Sequence, residues 1–415
     1  MKFVADLHIH SKYSRATSRE MDLVSLAKAA QRKGIKVLAT GDFTHPVWFR
    51  ELKTKLEPAA LGLFQLQGDN SGTLFILSAE ISCIYSKGGK VRRIHLVVLA
   101  PSLEAVEKLN AILNLRGNLK SDGRPILGLD AQELTKIILN TSPECVVVPA
   151  HIWTPWFSLF GSKSGFDTIE ECFGDYAPYI FAMETGLSSD PAMNWRLSAL
   201  DRIALISNSD SHSAAKLGRE ANIFDTDLSY PAIVEALKTK NPRKFLYTIE
   251  FFPQEGKYHY DGHRSCKISF SPQETKKHQG ICPVCKRPLT IGVLNRVDEL
   301  ADRPEGERPQ GAIPFKNLIP LGELIAEALG VGVLSKAVKR EYDSLVNKFG
   351  NEFAILLEID IDDLKKQTLS EIAEAIFRMR QGKVKVEAGY DGEYGKIKIF
   401  SDEERQSLNA QRALF

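Results

Sequence analysis

Phe3-Val4-Ala5-Asp6-Leu7-His8-Ile9-His10 opens the chain with an apolar, β-favouring run that leads directly into three ligand-capable side chains. In an extended segment His8 and His10 project to the same side, and the spacing recurs at Asp210 and His212. Seven strand-like runs of this kind stand at 3–7, 36–40, 74–79, 93–99, 145–149, 180–183 and 204–207. Amphipathic stretches at 20–32, 103–113 and 231–238 lie between them, the alternation of an α/β layer or barrel. Ser18 is expected to cap the first helix and Gly34 to end it. Each strand carries or leads into candidate ligands: Asp6, His8 and His10; Asp42; Glu80; His95; His151; Glu184; and Asp210 with His212. In β/α barrels the strand ends bring such side chains together, so one shared site is predicted.

The third and fourth runs break the rule, because Ile84-Tyr85-Ser86-Lys87-Gly88-Gly89-Lys90-Val91 reads as a hairpin and leaves no room for a helix. Pairing about Gly88-Gly89 sets Ser82 opposite His95, which makes Glu80 a diagonal neighbour of His95. The barrel is therefore expected to be irregular.

At 415 residues, with 43% hydrophobic and 26% charged residues, the chain suits two or three domains and is no miniprotein, collagen or disordered polymer. A net charge of +2 decides nothing about partners. No apolar signal segment precedes Asp6, and no run of apolar residues is long enough to span a bilayer, so no membrane partner and a cytoplasmic, nucleoid-associated location are expected. Cys83, Cys145 and Cys172 sit among apolar neighbours and are expected to be buried thiols.

One histidine near a strand end is more often a hydrogen-bonded core residue than a ligand. Five of the nine histidines fall in this set, however, and mixed imidazole and carboxylate donors suit Zn²⁺ or Mn²⁺. Clusters of two or three such ions activate water and neutralise a phosphoryl transition state, which makes phosphoester hydrolysis the natural reaction. Asp6-Leu7-His8-Ile9-His10, Thr40-Gly41-Asp42, Glu80, His95, Pro149-Ala150-His151 and Ser209-Asp210-Ser211-His212 resemble the ordered motifs of the PHP (polymerase and histidinol phosphatase) superfamily over about the first 245 residues. The resemblance implies a distorted seven-stranded barrel with a trinuclear metal site. The usual Thr-Asp-His of the second motif is here Gly41-Asp42-Phe43, and the later histidine of the first motif is absent near Tyr13 and Ser14. Asp42 and His45 are the alternatives for the third metal position.

His263-x2-Cys266, fifteen residues, then Cys282-Pro283-Val284-Cys285 has the spacing of a structural zinc site, with His259 and His278 as rivals to His263. Residues 236–297 hold twelve Lys/Arg against four Asp/Glu, which suits a polyanionic substrate. Together with 8–18, 41–46, 151–157, Tyr258-His259-Tyr260-Asp261-Gly262-His263-Arg264 and Leu300-Ala301-Asp302-Arg303, this module resembles the endonuclease Q family over nearly the whole chain. Members of that family cleave DNA at the phosphodiester 5′ of a deaminated base (uracil, hypoxanthine, xanthine) or an abasic site, leaving 3′-hydroxyl and 5′-phosphate ends. The substrate implied is such DNA, double- or single-stranded. The competing reading is a small-molecule PHP phosphatase of the histidinol-phosphate type, which needs neither the zinc module nor its local charge.

The expected organisation is a distorted (β/α)7 PHP barrel over 1–250, a small zinc-binding module over 251–310, a mainly α-helical domain over 311–400 and a tail over 401–415. The expected catalytic set is Asp210, His8, His10 and Glu80, and the metal ligands are His8, His10, Asp42, Glu80, His95, His151, Asp210 and His212. Zn²⁺ is expected in both sites, with Mg²⁺ or Mn²⁺ as alternatives in the active site. Inspecting a base requires it to leave the stack, and aromatic faces near the metals serve that step. Trp153, Trp156 and Phe157 follow His151, and with Lys12, Tyr13, Arg15, Lys163 and Ser164 they form the expected DNA-binding set. In the tail, Gln411, Leu414 and Phe415 match the Gln-x-x-Leu-Phe peptide that docks in the bacterial sliding clamp.

Overall fold

Short runs of Val, Ile, Leu and Ala form the barrel staves because such residues pack well on a surface buried from both faces. The computed structural model describes residues 1–401 and 403–405. In chain order the strands are β1 (Lys2–Asp6), β2 (Val37–Ala39), β3 (Leu56–Ala60), β4 (Leu63–Leu66), β5 (Leu74–Lys87), β6 (Lys90–Ala100), β7 (Ile126–Leu127), β8 (Val146–Pro149), β9 (Ala182–Glu184), β10 (Ala204–Ile206), β11 (Ala221–Asp225) and β12 (Phe245–Glu250). Shorter strands follow in the remainder of the chain.

The seven staves read from the sequence are β1, β2, β5, β6, β8, β9 and β10. β1, β2 and β5 run parallel, β5 and β6 form an antiparallel hairpin, β6 is antiparallel to β8, and β9 pairs parallel with β10. The seam from β8 to β9 is crossed by Ile152 N donating to Glu184 O (3.1 Å). That from β10 to β1 is bridged by side chains along the strands, Leu7 N donating to Asn208 Oδ1 (2.9 Å) and Asn222 Nδ2 to Ser207 O (2.7 Å), and by backbone just beyond them, Asp210 N donating to His8 O and His10 N to Ser211 O, both at 3.0 Å. Two open seams and one reversed hairpin are what distort the barrel. The hairpin register places Ser82 opposite His95, as the Gly88-Gly89 turn required.

Five of these strands were not anticipated, among them β7, which pairs parallel with β5. β3 and β4 make a small hairpin against β5, while β11 and β12 extend the sheet antiparallel from the outer edge of β1. The first helix is also shorter than expected. It runs Leu23–Lys33 with Asp22, not Ser18, accepting from Val24 N and Ser25 N, and Gly34 ends it in the left-handed region. Residues before it are tied into a loop by Lys12 N to Met21 O and Ser18 N to His212 O, so the helix cannot begin until Asp22. Cys83, Cys145 and Cys172 are buried free thiols.

Helices Leu321–Leu329, Lys336–Phe349, Glu352–Leu357, Ile361–Lys365 and Ser370–Arg380 pack into a helical unit whose core is continuous with that of the barrel. The strand Phe315–Asn317 adds parallel to β12 and begins this attachment. Its polar pin is Glu352, 4% exposed, which takes Lys33 of the first barrel helix at 2.7 Å, Tyr342 Oη at 2.8 Å and Leu321 N at 3.0 Å. Removing one member of a buried pair leaves an uncompensated charge, so Glu352→Ala is expected to destabilise the protein by about 3–5 kcal/mol. Urea unfolding monitored by tryptophan fluorescence and by circular dichroism measures the loss.

Candidate metal centre

Glu80, in the middle of β5 and 1% exposed, faces four histidines from three other segments. Its Oε1 lies 2.7 Å from His95 Nδ1 and 3.1 Å from His151 Nε2, and its Oε2 lies 3.2 Å from His10 Nε2 and 3.7 Å from His8 Nε2. Asp210 Oδ1 completes the second side, 3.0 Å from His10 Nε2 and 3.7 Å from His8 Nε2. Two groups able to hold a cation result, His8-His10-Glu80-Asp210 and Glu80-His95-His151, with Glu80 common to both.

The ring nitrogens are presented for coordination by the groups behind them. His8 Nδ1 donates to Glu184 Oε2 (2.9 Å) and His10 Nδ1 to Asp42 Oδ1 (3.0 Å). His151 Nδ1 lies 3.2 Å from Thr154 Oγ1, whose own hydrogen goes to Trp156 O, and His212 Nδ1 donates to Asp210 O (2.9 Å). Each ring therefore directs its Nε2 away from that partner, the orientation imposed by outer partners in metal sites. His8 Nε2, His10 Nε2 and Asp210 Oδ1 are fully buried and make no hydrogen bond, although they stand within ion-pair distance of one another. Buried polar atoms without partners are costly, and a divalent cation among them satisfies all three.

Burial by itself would lower the His8 and His10 pKa values. Glu184 and Glu80 at His8, and Asp42, Asp210 and Glu80 at His10, overcome it and hold both well above the ordinary histidine range. Burial likewise opposes ionisation of Glu80 and Asp210, but the surrounding cationic groups keep both carboxyls below their usual range. His95 is pushed down to about 4 by burial, against the pull of Glu80.

Asp42, His151 and Asp210 all adopt left-handed backbone, with φ of 48°, 30° and 45°. Such conformations are unfavourable for non-glycine residues and persist where surrounding structure enforces them. Gly186 makes room for His151: with φ of 63°, its missing Cβ would stand 2.4 Å from His151 Cβ.

Some expected residues fall elsewhere. Asp42 is no member of either group, because its oxygens are taken by His10 Nδ1, Ser11 N (2.7 Å), Ser11 Oγ (2.7 Å) and Ser14 Oγ (2.9 Å); it orients His10. His45 caps the helix Pro46–Lys55 and stacks on Tyr13, so it too stays outside. His212 belongs to neither group but sits at the rim, its ring 4.5 Å from that of His10. Glu184, Asn208 and Arg124 join the centre without having been placed in the expected site; Glu184 had been marked by its position at the end of a strand.

Among the expected DNA contacts, Trp153 is 1% exposed, packs at a tilt against Phe160 and donates to Asn194 Oδ1 (2.7 Å), so it is core and presents no stacking face. Ser164 is buried and bonded to Phe157 N and Arg93 O. Lys12 and Tyr13 both engage Glu51, at 3.0 and 2.6 Å. Trp156 is exposed, Lys163 is exposed, Arg15 is exposed beside Asp122, and Phe157 packs 4.7 Å from the His95 ring. Trp156 and Phe157 line an 860 Å³ cleft with Arg93, Arg219, Tyr258 and Tyr394.

His263, Cys266, Cys282 and Cys285 form a second cation-competent group. The hairpin of Asp261–His263 and Ile268–Phe270 supplies the first pair and a tight turn, Lys286 N to Cys282 O (3.0 Å), the second. His278 instead stacks on Phe270, and His259 is buried and pushed down to about 4 by that burial. Residues after the last helix return to this module, where Asp391 accepts from Arg264 N and Thr290 Oγ1, both at 2.6 Å. Gln411, Leu414 and Phe415 lie outside the described residues.

The MJ0043 C-terminal domain family matches residues 320–383. The uncharacterised protein MJ0043 of Methanocaldococcus jannaschii is 36% identical over 253 residues, 59% of this chain and 31% of that protein. The chain thus spans under two thirds of that relative's length. The uncharacterised protein YqxK of Bacillus subtilis is 30% identical over 417 residues, covering 96% of this chain and 99% of its own. Among solved structures, the lesion-specific endonuclease PfuEndoQ of Pyrococcus furiosus matches with a TM-score of 0.86 and 32% identity, over 98% of this chain and 99% of that one. A complex of Endonuclease Q with a 27-mer duplex bearing an abasic lesion at its active site matches at 0.85 and 32%, over 98% of each chain.

Because His8, His10 and His151 carry raised pKa values, cation binding must displace protons from them. Divalent affinity is expected to tighten from pH 6 to pH 8 with proton release, measured by calorimetry in buffers of different ionisation enthalpy. Cys282→Ser should lose the metal of the Cys/His group and the protection of its amides, read by elemental analysis and hydrogen exchange.

Proposed function

The chain belongs to the endonuclease Q family, and on that premise we propose that it is a metal-dependent DNA repair endonuclease that hydrolyses the phosphodiester 5′ of a deaminated base or abasic site. The products are a 3′-hydroxyl and a 5′-phosphate. The observation that carries the reading is Glu80 shared between two cation-competent groups at the barrel mouth, beside a cleft with aromatic walls.

His8, His10, Glu80 and Asp210 would hold one divalent cation, and Glu80, His95 and His151 another. The imidazole-rich set favours Zn²⁺ or Mn²⁺, with Mg²⁺ a weaker match. Bound there, such ions supply hydroxide at neutral pH and offset phosphoryl charge. The chain's own part is to hold the three orienting carboxylate and hydroxyl partners, Glu184, Asp42 and Thr154, in place and to offer His212 at the rim, its Nε2 able to move a proton. Zn²⁺ in the Cys/His group is structural, since four protein ligands leave no open position.

A nucleotide turned out of the duplex finds Trp156, Phe157, Tyr258 and Tyr394 as stacking faces and Arg93 and Arg219 as cationic neighbours in the 860 Å³ cleft. Lys163, with Lys87, Lys90 and Arg92, borders an adjoining 620 Å³ groove suited to backbone phosphates. Gln411, Leu414 and Phe415 would let a sliding clamp carry the enzyme to replicating DNA.

End-labelled duplexes carrying uracil, hypoxanthine, xanthine, an abasic site or no lesion test the reading. One incision 5′ of each lesion is expected with Mn²⁺ or Mg²⁺, and none with EDTA. Asp210→Asn should slow incision by ~10³-fold or more while duplex affinity stays within a few-fold. A ladder on undamaged DNA, or hydrolysis of histidinol phosphate without incision, sinks it.

A further inference from the structure

Arg124 stands at the centre without a role in either cation-competent group. Its Nη1 donates to Glu80 Oε2 at 3.0 Å, the same oxygen that faces His8 and His10. This is its one recorded side-chain bond among the described residues, although a guanidinium has five donors. The side chain is 29% exposed, and none of its nitrogens is among the buried atoms without a partner, so the remaining donors open toward solvent at the mouth.

The segment that carries it is fixed tightly. Gly123 N donates to Tyr13 O (3.0 Å), Thr44 Oγ1 to Gly123 O (3.2 Å), Arg124 N to Asp122 Oδ1 (3.2 Å) and Ser82 N to Pro125 O (3.0 Å). Gly123 presses so closely on the centre that a Cβ there would lie 2.3 Å from Asp42 Oδ2. An arginine held this firmly loses little freedom in making a further contact. Its charge is secure, since a guanidinium stays protonated in proteins.

With cations seated beside Glu80, a guanidinium at the same carboxylate is repelled by them unless an anion joins the cluster. The anion delivered by the substrate is the phosphodiester, and a planar fork matches two of its oxygens. We propose that Arg124 is a catalytic residue that donates to a non-bridging oxygen of the scissile phosphate and stabilises the charge developing there; this rests on the phosphodiesterase reading above. The role uses donors prepared before substrate arrives, so it costs no reorganisation in the transition state.

Wild type, Arg124→Ala and Arg124→Lys, with Asp210→Asn as the inert control, are compared on the end-labelled abasic duplex, with duplex Kd and bound metal measured for each. Arg124→Ala should lower kcat by ~10²–10³-fold, the range for losing one transition-state donor. Metal content and duplex Kd should change little, Arg124→Lys should recover only part of the rate, and added guanidinium ion should raise the rate of Arg124→Ala. Unchanged kcat overturns the proposal, and so does metal loss in step with activity, which would make Arg124 a holder of Glu80. Failure of the wild type to incise the duplex removes the functional reading together with Arg124; incision by wild type and Arg124→Ala alike removes Arg124 alone.

Discussion

One buried carboxylate, Glu80, organises the molecule. Both its oxygens face imidazoles, drawn from β6, from the turn after β8 and from the segment after β1. A carboxylate so far from water is tolerable only if positive charge surrounds it. The barrel satisfies that demand with histidines whose other nitrogens are themselves tied to Glu184, Asp42 and Thr154. The result is a shell held from behind and left open in front, with three buried polar atoms whose needs a cation meets.

The backbone is strained where this shell requires it. Asp42, His151 and Asp210 sit just past the ends of β2, β8 and β10 in left-handed conformations, and at His151 the close approach of Gly186 leaves no room for a further side chain. The two barrel seams lacking a strand ladder lie beside these residues, and side chains of Asn208, Asn222 and Glu184 add hydrogen bonds to the few backbone bonds that cross there. Structural closure and site orientation thus use the same polar side chains, which makes the irregularity of the barrel part of the chemistry it supports.

The units after the barrel are joined to it as firmly. Glu352 pins the helical unit to the first barrel helix, Asp298 takes Arg196 at 2.6 Å, and Arg296 reaches back to Phe160 O at 3.1 Å from the helix beside the Cys/His group. That last contact secures the 151–166 loop, whose Trp156 and Phe157 wall the cleft. The module around the Cys/His group therefore helps set the shape of the aromatic surface next to the ligand cluster.

What the sequence determined follows from local rules. Period-2 spacing put His8 with His10, the Gly88-Gly89 turn fixed Ser82 opposite His95, and the Cys-x-x-Cys spacing marked the second cation group. Only the tertiary structure could separate ligands from the residues that aim them. Asp42 and Glu80 are both acids near strand ends, yet Asp42 is spent on His10 and two serines while Glu80 faces the cavity. Trp153 and Trp156 are three residues apart, yet one is core and the other exposed. Arg124 has no motif around it, since its position depends on contacts with Tyr13, Thr44 and Ser82, residues far away in the chain. Spacing specifies which way neighbouring side chains point; which of them meet is settled by packing across hundreds of positions.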